Sequence, residues 1–226
     1  MKDNAVVLFT RIPIPGKTKT RLQPLLTGEE CCALHRAFLC DVYSALTEKD
    51  AGYDVFIYYV PEGDPNQLEQ LLPGKRVLLP QRGETLGDRM RNAFAETFAS
   101  GYRRCVLVGS DIPLLERNIV CEAFRLLDNY DIVLNPTEDG GYYLIGLSDP
   151  CRQVFELEEY GTSTVFEKTV SAAVNAGKTV VSGARLMDID DPAELYLLIE
   201  KLKQESPDAC PETRKALKEI RGLRRD

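Results

Sequence analysis

The chain has 226 residues, of which 44% are hydrophobic and 28% charged, a length and balance that suit one globular domain with a sizeable core and not a disordered chain. Its net charge of −7 would repel nucleic acid and anionic membrane surfaces. Seven cysteines without a C-x-x-C argue against a zinc site or disulfide framework and fit a reducing cytoplasm; no apolar run reaches the roughly 18 residues of a membrane span.

The run Ala5-Val6-Val7-Leu8-Phe9 predicts a strand over Val6–Thr10. The loop that follows, Arg11 to Leu22, ends a strand and carries Arg11, Lys17, Lys19 and Arg21. Gly16-Lys17-Thr18 suggests a P-loop, but position 11 is Arg where that motif needs Gly. Pro13 and Pro15 also lack the N–H groups that would cradle phosphate. What remains is a cationic turn at the edge where open α/β sheets bind ligands, with Gly16 allowing close approach to the backbone. It is expected to hold nucleotide phosphates; the plainer reading is a solvated basic loop. Thr27 and Glu30 form a capping box that opens a helix over Gly28–Leu46. His35, the sole histidine, lies beside Leu34, Phe38, Val42 and Ala45 at helical spacing. It reads as an ordinary surface or boundary residue, so Ser-His and Cys-His chemistry is disfavoured.

A strand over Val55–Val60 precedes a helix over Pro65–Leu71, capped by Asp64, and a strand over Val77–Leu79. Gln81 and Arg82 then stand where they could meet a base or phosphate. Arg89 reads as an ion-pairing residue of a helix over Leu86–Phe98, opened by Thr85 and Asp88. The apolar strand Cys105–Val108 ends in Gly109-Ser110-Asp111. A carboxylate at that point suits Mg2+ or Mn2+ completed by phosphate and water, or else it caps a turn. After a helix over Arg117–Leu127, the strands Ile132–Leu134 and Tyr142–Leu147 are joined by a turn too short for a parallel crossover, so they should be antiparallel. Asp139 in that turn reads either as a hairpin residue or as a carboxylate beside an acceptor.

A helix over Ser163–Asn175 and a strand over Thr179–Val181 come next. Asp188 and Asp190 alternate with Met187 and Ile189 and so share one side, while Asp191 caps a helix over Pro192–Lys203. Gly52, Gly101 and Gly177 fall where helices should stop. The alternation predicts one three-layer α/β/α domain over residues 1–205, with a mixed, mostly parallel sheet. Residues 206–226 read as a terminal helix or tail whose Arg214, Lys215, Lys218, Arg221, Arg224 and Arg225 form a solvated face.

Five segments, Pro15 to Leu22, Gly83 to Met90, Gly109 to Pro113, Asp139 to Tyr143 and Asp188 to Pro192, in this order resemble bacterial glycosyltransferases of the nucleotide-diphospho-sugar transferase superfamily. The set is more distantly similar to phospholactate guanylyltransferases and molybdenum-cofactor nucleotidyltransferases. The resemblance implies the glycosyltransferase-A fold with seven strands and a Mg2+ or Mn2+ ion. By it, the Arg11–Leu22 loop would hold the nucleotide, Asp111 would be the central metal-binding aspartate and Asp190 the later one. The relatives carry an aromatic anchor, often Trp, before the Thr162-Ser163-Thr164 region, where this chain has Tyr160-Gly161. The expected activity is metal-dependent glycosyl transfer from a nucleotide-sugar to an unidentified small-molecule acceptor, with Asp139 as base. The alternative is nucleotidyl transfer from a nucleoside triphosphate to a phosphorylated small molecule, releasing pyrophosphate. A third reading is a nucleotide-sugar-binding protein without turnover.

Overall fold

The computed structural model describes residues 2–48, 51–74, 76–220 and 223. Seven strands form one sheet: β1 (Lys2–Arg11), β2 (Asp54–Val60), β3 (Val77–Pro80), β4 (Tyr102–Gly109), β5 (Ile132–Pro136), β6 (Tyr142–Leu147) and β7 (Val180–Val181). Their order is β3-β2-β1-β4-β6-β5-β7. All neighbours pair in parallel except at β6, which runs antiparallel to both β4 and β5. The short turn between β5 and β6 forces this reversal, as their spacing predicts. Helices α1 (Gly28–Leu46), α2 (Asn66–Leu71), α3 (Leu86–Ala99), α4 (Arg117–Leu126), α5 (Val165–Asn175), α6 (Pro192–Gln204) and α7 (Pro211–Glu219) complete the fold. Among the described residues no helix is long and apolar enough to cross a membrane.

Strand alternation distributes β1 between two cores. Val6 and Leu8 pack with Leu39 and Val42 of α1 and Val120 and Phe124 of α4. Val7 and Phe9 pack on the other face with Met90 and Phe94 of α3 and with Phe155. A third cluster joins Leu22, Leu34 and Phe38 to Ile189, Leu195 and Leu198. That cluster anchors the base of the loop after β1 against α1 and the chain entering α6.

Local signals set most helix ends. Thr27 accepts from the Glu30 N–H while Glu30 reaches back to the Thr27 N–H. Thr85 and Asp88 do the same for α3, so aspartate serves as fully as glutamate there. Asp191 caps α6 through the N–H groups of Ala193 and Glu194. Gly52, Gly101 and Gly177 all take positive φ. Most helix ends fall within one residue of their expected places, and the largest shift is at α5, which begins at Val165 and not at Ser163 and gets no side-chain cap from Thr164.

The C-terminal segment is not a detached tail. Helix α7 docks on α1, where Asp41 accepts the N–H groups of Glu212 and Thr213 at 3.1 and 2.8 Å. Arg214, read from the sequence as solvated, instead donates to the carbonyls of Leu202 and Ser206 at the end of α6. Arg221, Arg224 and Arg225 lie outside the described residues.

Candidate active site

Strand β1 leads to β2 on one side of the sheet, and β4 pairs with β1 on the other. The carboxyl ends of β1 and β4 therefore border a topological switch point, where open α/β sheets bind ligands. A cleft of about 520 Å3 opens there. Its lining includes Arg11, Lys17, Lys19 and Arg21 from the loop after β1, Ser110 and Asp111 from the end of β4, and Asp190 from the approach to α6.

Backbone bonds bring these distant segments together. The Ser110 N–H donates to the Phe9 carbonyl at 3.1 Å, and the Ile189 N–H to the Asp111 carbonyl at 3.0 Å. The second bond seats Asp190 beside Asp111. The loop turns on the Ile14 carbonyl, which accepts from the N–H groups of Lys17 and Thr18 and from the Thr18 hydroxyl. It then continues into a short 3-10 turn, Thr20–Leu22, whose Leu22 is wholly buried.

Lys19, just before that turn, has φ of +51°. A left-handed conformation costs a side-chain-bearing residue about 1–2 kcal/mol, so the contacts it secures must offset that strain. They are substantial. The Lys19 ammonium lies 2.7 Å from Asp111 Oδ1 and 2.9 Å from Asp190 Oδ1, and donates to the Ile189 carbonyl at 2.5 Å. Its side chain is only 4% exposed, and Nζ stands 5.6 Å from the centre of the Phe38 ring. Burial opposes its charge, but Asp111 and then Asp190 more than compensate and raise its pKa. Burial would likewise lift the Asp111 carboxyl, but Lys19 and His35 hold it well below the usual carboxylate range.

Asp111 is divided between two environments. Oδ1 is covered and lies in ion-pair contact with the Lys19 ammonium. The side chain as a whole remains 41% exposed, so Oδ2 faces the cleft. Asp190 is 37% exposed, with Oδ2 lying 3.8 Å from Arg21 Nη1. Two carboxylates thus present hard oxygen donors to one cleft, a set that fits Mg2+ or Mn2+ when phosphate and water complete the shell. Among the described residues no group of three or more His, Cys, Asp and Glu forms a closed metal site.

The remaining expectations divide. Arg11 and Arg21 are exposed on the cleft. Lys17 also lines it and pairs with Glu62 at 2.6 Å. Lys19 needs correction as a phosphate ligand, because its ammonium is already enclosed by two carboxylates and a carbonyl. Gln81 reaches the lining, but its amide straps the Thr10 and Tyr58 carbonyls at 3.2 and 2.9 Å. Gly16 has the positive φ of its turn and packs beside Gly28, away from the lining. Arg82 is 71% exposed, 3.8 Å from Glu96, also off the lining. Asp139 closes the β5–β6 turn: Oδ1 accepts from the Thr137 hydroxyl at 2.5 Å and the Gly141 N–H at 3.0 Å. It does not line the cleft. Its charge is felt by Asp188, whose carboxyl is pushed up to about 7 by burial, then by Asp139, Asp190 and Glu194.

Two further residues join the site. His35 is buried, not superficial; its Nε2 donates to the Arg11 carbonyl at 3.1 Å and its Nδ1 lies 3.7 Å from Asp111 Oδ1. Among the described residues Arg89 forms no ion pair. It lines the cleft from α3, with Nε donating to the Gly83 carbonyl at 3.1 Å. The signal for Arg89 was its place in the first turn of a helix that follows a strand end. For His35 no local signal exists, since the loop covering it comes from β1. Tyr160 donates its hydroxyl to the Phe155 carbonyl at 3.2 Å.

The family model described as "Uncharacterized protein conserved in bacteria (DUF2064)" matches residues 44–162. The 2-phospho-L-lactate guanylyltransferase of Halorubrum lacusprofundi is 27% identical over 81% of this chain and 79% of its own length. That of Methanocaldococcus vulcanius is 26% identical over 87% and 86%. Among solved structures, a candidate nucleotide-diphospho-sugar transferase from Desulfovibrio desulfuricans G20 is 32% identical, covers 99% of both chains and has a TM-score of 0.87. A cytidylyltransferase from Leptospira borgpetersenii, 12% identical with a TM-score of 0.53 over 97% and 94% of the two chains, shares the fold. The chain is a transferase of this nucleotide-handling fold.

Proposed function

The chain belongs to the bacterial family DUF2064, and we propose that it is a nucleotidyltransferase, joining a nucleoside triphosphate to a phosphorylated small molecule and releasing pyrophosphate. The observation that carries this reading is the cleft itself. Cations from two walls, Arg11, Lys17 and Arg21 on one and Arg89 on the other, face a carboxylate pair at the switch point. That is the charge arrangement a polyphosphate needs. The guanylyltransferase relatives favour it over glycosyl transfer. So does Asp139, the base assigned to glycosyl transfer, because its carboxylate is engaged in a turn off the cleft.

In the reaction, an acceptor phosphate oxygen attacks the α-phosphorus of the triphosphate. The bond from that phosphorus to the α–β bridging oxygen breaks, and pyrophosphate leaves with the electron pair. Arg11, Arg21 and Arg89 orient phosphate oxygens and offset the charge that builds on them. Lys17 joins them by exchanging Glu62 for phosphate. Asp111 and Asp190 would hold a divalent cation, which when bound neutralises phosphate charge. His35 fixes the Arg11 backbone and backs Asp111.

Incubation with Mg2+, each nucleoside triphosphate and three-carbon phosphorylated acids, including the 2-phospho-L-lactate of the relatives' names, tests the proposal. Pyrophosphate release that requires both substrates is expected. Release of a nucleoside diphosphate from nucleotide-sugars, with no pyrophosphate from any triphosphate, would overturn it.

A further inference from the structure

Lys19 is the best-held cation in the cleft, yet it is the least able to reach a ligand. Its ammonium touches both carboxylates of the switch point and the Ile189 carbonyl, with 4% of its side chain exposed. Arg21 adds a second positive group 3.8 Å from Asp190 Oδ2. A divalent cation approaching the outward oxygens therefore meets two carboxylates whose charge is already half cancelled by a fixed neighbour. The lysine cannot swing aside cheaply, because Phe38 lies beneath it and its backbone is held left-handed ahead of the Thr20–Leu22 turn. Displacing it would leave a buried cation without partners.

We propose that Lys19 is a built-in counter-ion that makes cation binding depend on the nucleotide. Asp111 and Asp190 hold a bare divalent cation weakly, and the polyphosphate supplies the negative oxygens that the lysine has cancelled. Lys19 is thus a positioning residue: it spaces the two carboxylates and keeps the cleft from filling with cation before substrate arrives. The inference rests on the nucleotidyltransferase reading for the identity of the polyphosphate, but its cation half can be measured without turnover.

The first arm titrates the full chain with Mn2+ alone, following free Mn2+ by electron paramagnetic resonance. Lys19→Met is expected to bind Mn2+ about tenfold more tightly than the unmodified chain, because an adjacent positive charge is removed. Adding Asp190→Asn to Lys19→Met should abolish that gain. Equal or weaker binding by Lys19→Met, or a gain that survives Asp190→Asn, would overturn the role. The second arm uses the unmodified chain and does not depend on the variant folding. The rise in Tm with Mn2+ and excess tripolyphosphate together should exceed the sum of their separate effects. A rise with Mn2+ alone as large as the combined one contradicts the proposal. Absence of pyrophosphate release, with both arms as expected, would sink the nucleotidyl reading and leave the counter-ion role standing.

Discussion

His35 is a helix residue whose importance comes from what lies over it. Its Nε2 satisfies the Arg11 carbonyl and its Nδ1 faces Asp111, so a single buried ring ties the end of β1 to the end of β4. His35→Leu removes that donor and leaves the part-buried Arg11 carbonyl with the Thr10 hydroxyl as its remaining side-chain partner, which costs about 1 kcal/mol. A chemical denaturation series should show that loss, and turnover should fall at least tenfold because Asp111 loses its backing. Unchanged stability and turnover would show the ring to be incidental. The residue types at the site were readable: a cationic strand-terminal turn, an aspartate ending an apolar strand, an aspartate before a capped helix. The pairing of Lys19 with both aspartates was not. It depends on one left-handed residue and on contacts across 92 and 171 positions of chain, and neither leaves a local trace.

Elements were legible wherever a cap or a glycine marks them, as at Thr27, Thr85 and Asp191. Tertiary contacts hid the rest. Helix α7 looks like a basic tail, because its docking depends on a carboxylate in α1. Burial lifts the Asp41 carboxyl above its ordinary range, although the N–H groups of Thr213 and Glu212 pull it back. The folded protein therefore keeps a proton that the unfolded chain releases near pH 4, and stability falls as pH rises from about 4 through the folded value. Asp41→Asn keeps one acceptor oxygen and removes the charge. Its Tm should show a flatter pH dependence than the wild type over that range; parallel curves would contradict the assignment. Gly140 constrains the β5–β6 turn with φ of +92°, and a Cβ there would overlap the Ser163 carbonyl. Gly140→Ala should lower stability by about 2 kcal/mol or more, from strain and overlap together. A calorimetric Tm within a degree of wild type would show that the turn and the start of α5 can separate.

On the scale of the whole molecule, alternation of strands and helices announced the three-layer architecture, and the short β5–β6 connection announced one antiparallel strand. Strand order was not in the sequence pattern, and order is what makes a site here. Placing β1 beside β4 brings a cationic loop and a terminal aspartate to one switch point. The proposed nucleotidyl transfer, which the guanylyltransferase relatives support, requires one particular bond of the nucleotide to break. Isotopic labelling separates the possibilities directly. With a nucleoside triphosphate labelled at the α-phosphorus, the label should move into a product that contains the acceptor's phosphate; with the γ-phosphorus labelled, it should leave as pyrophosphate. Asp111→Asn should slow both at least about a hundredfold while the chain stays folded. If neither label moves while the chain cleaves a nucleotide-sugar to the nucleoside diphosphate, the account is wrong.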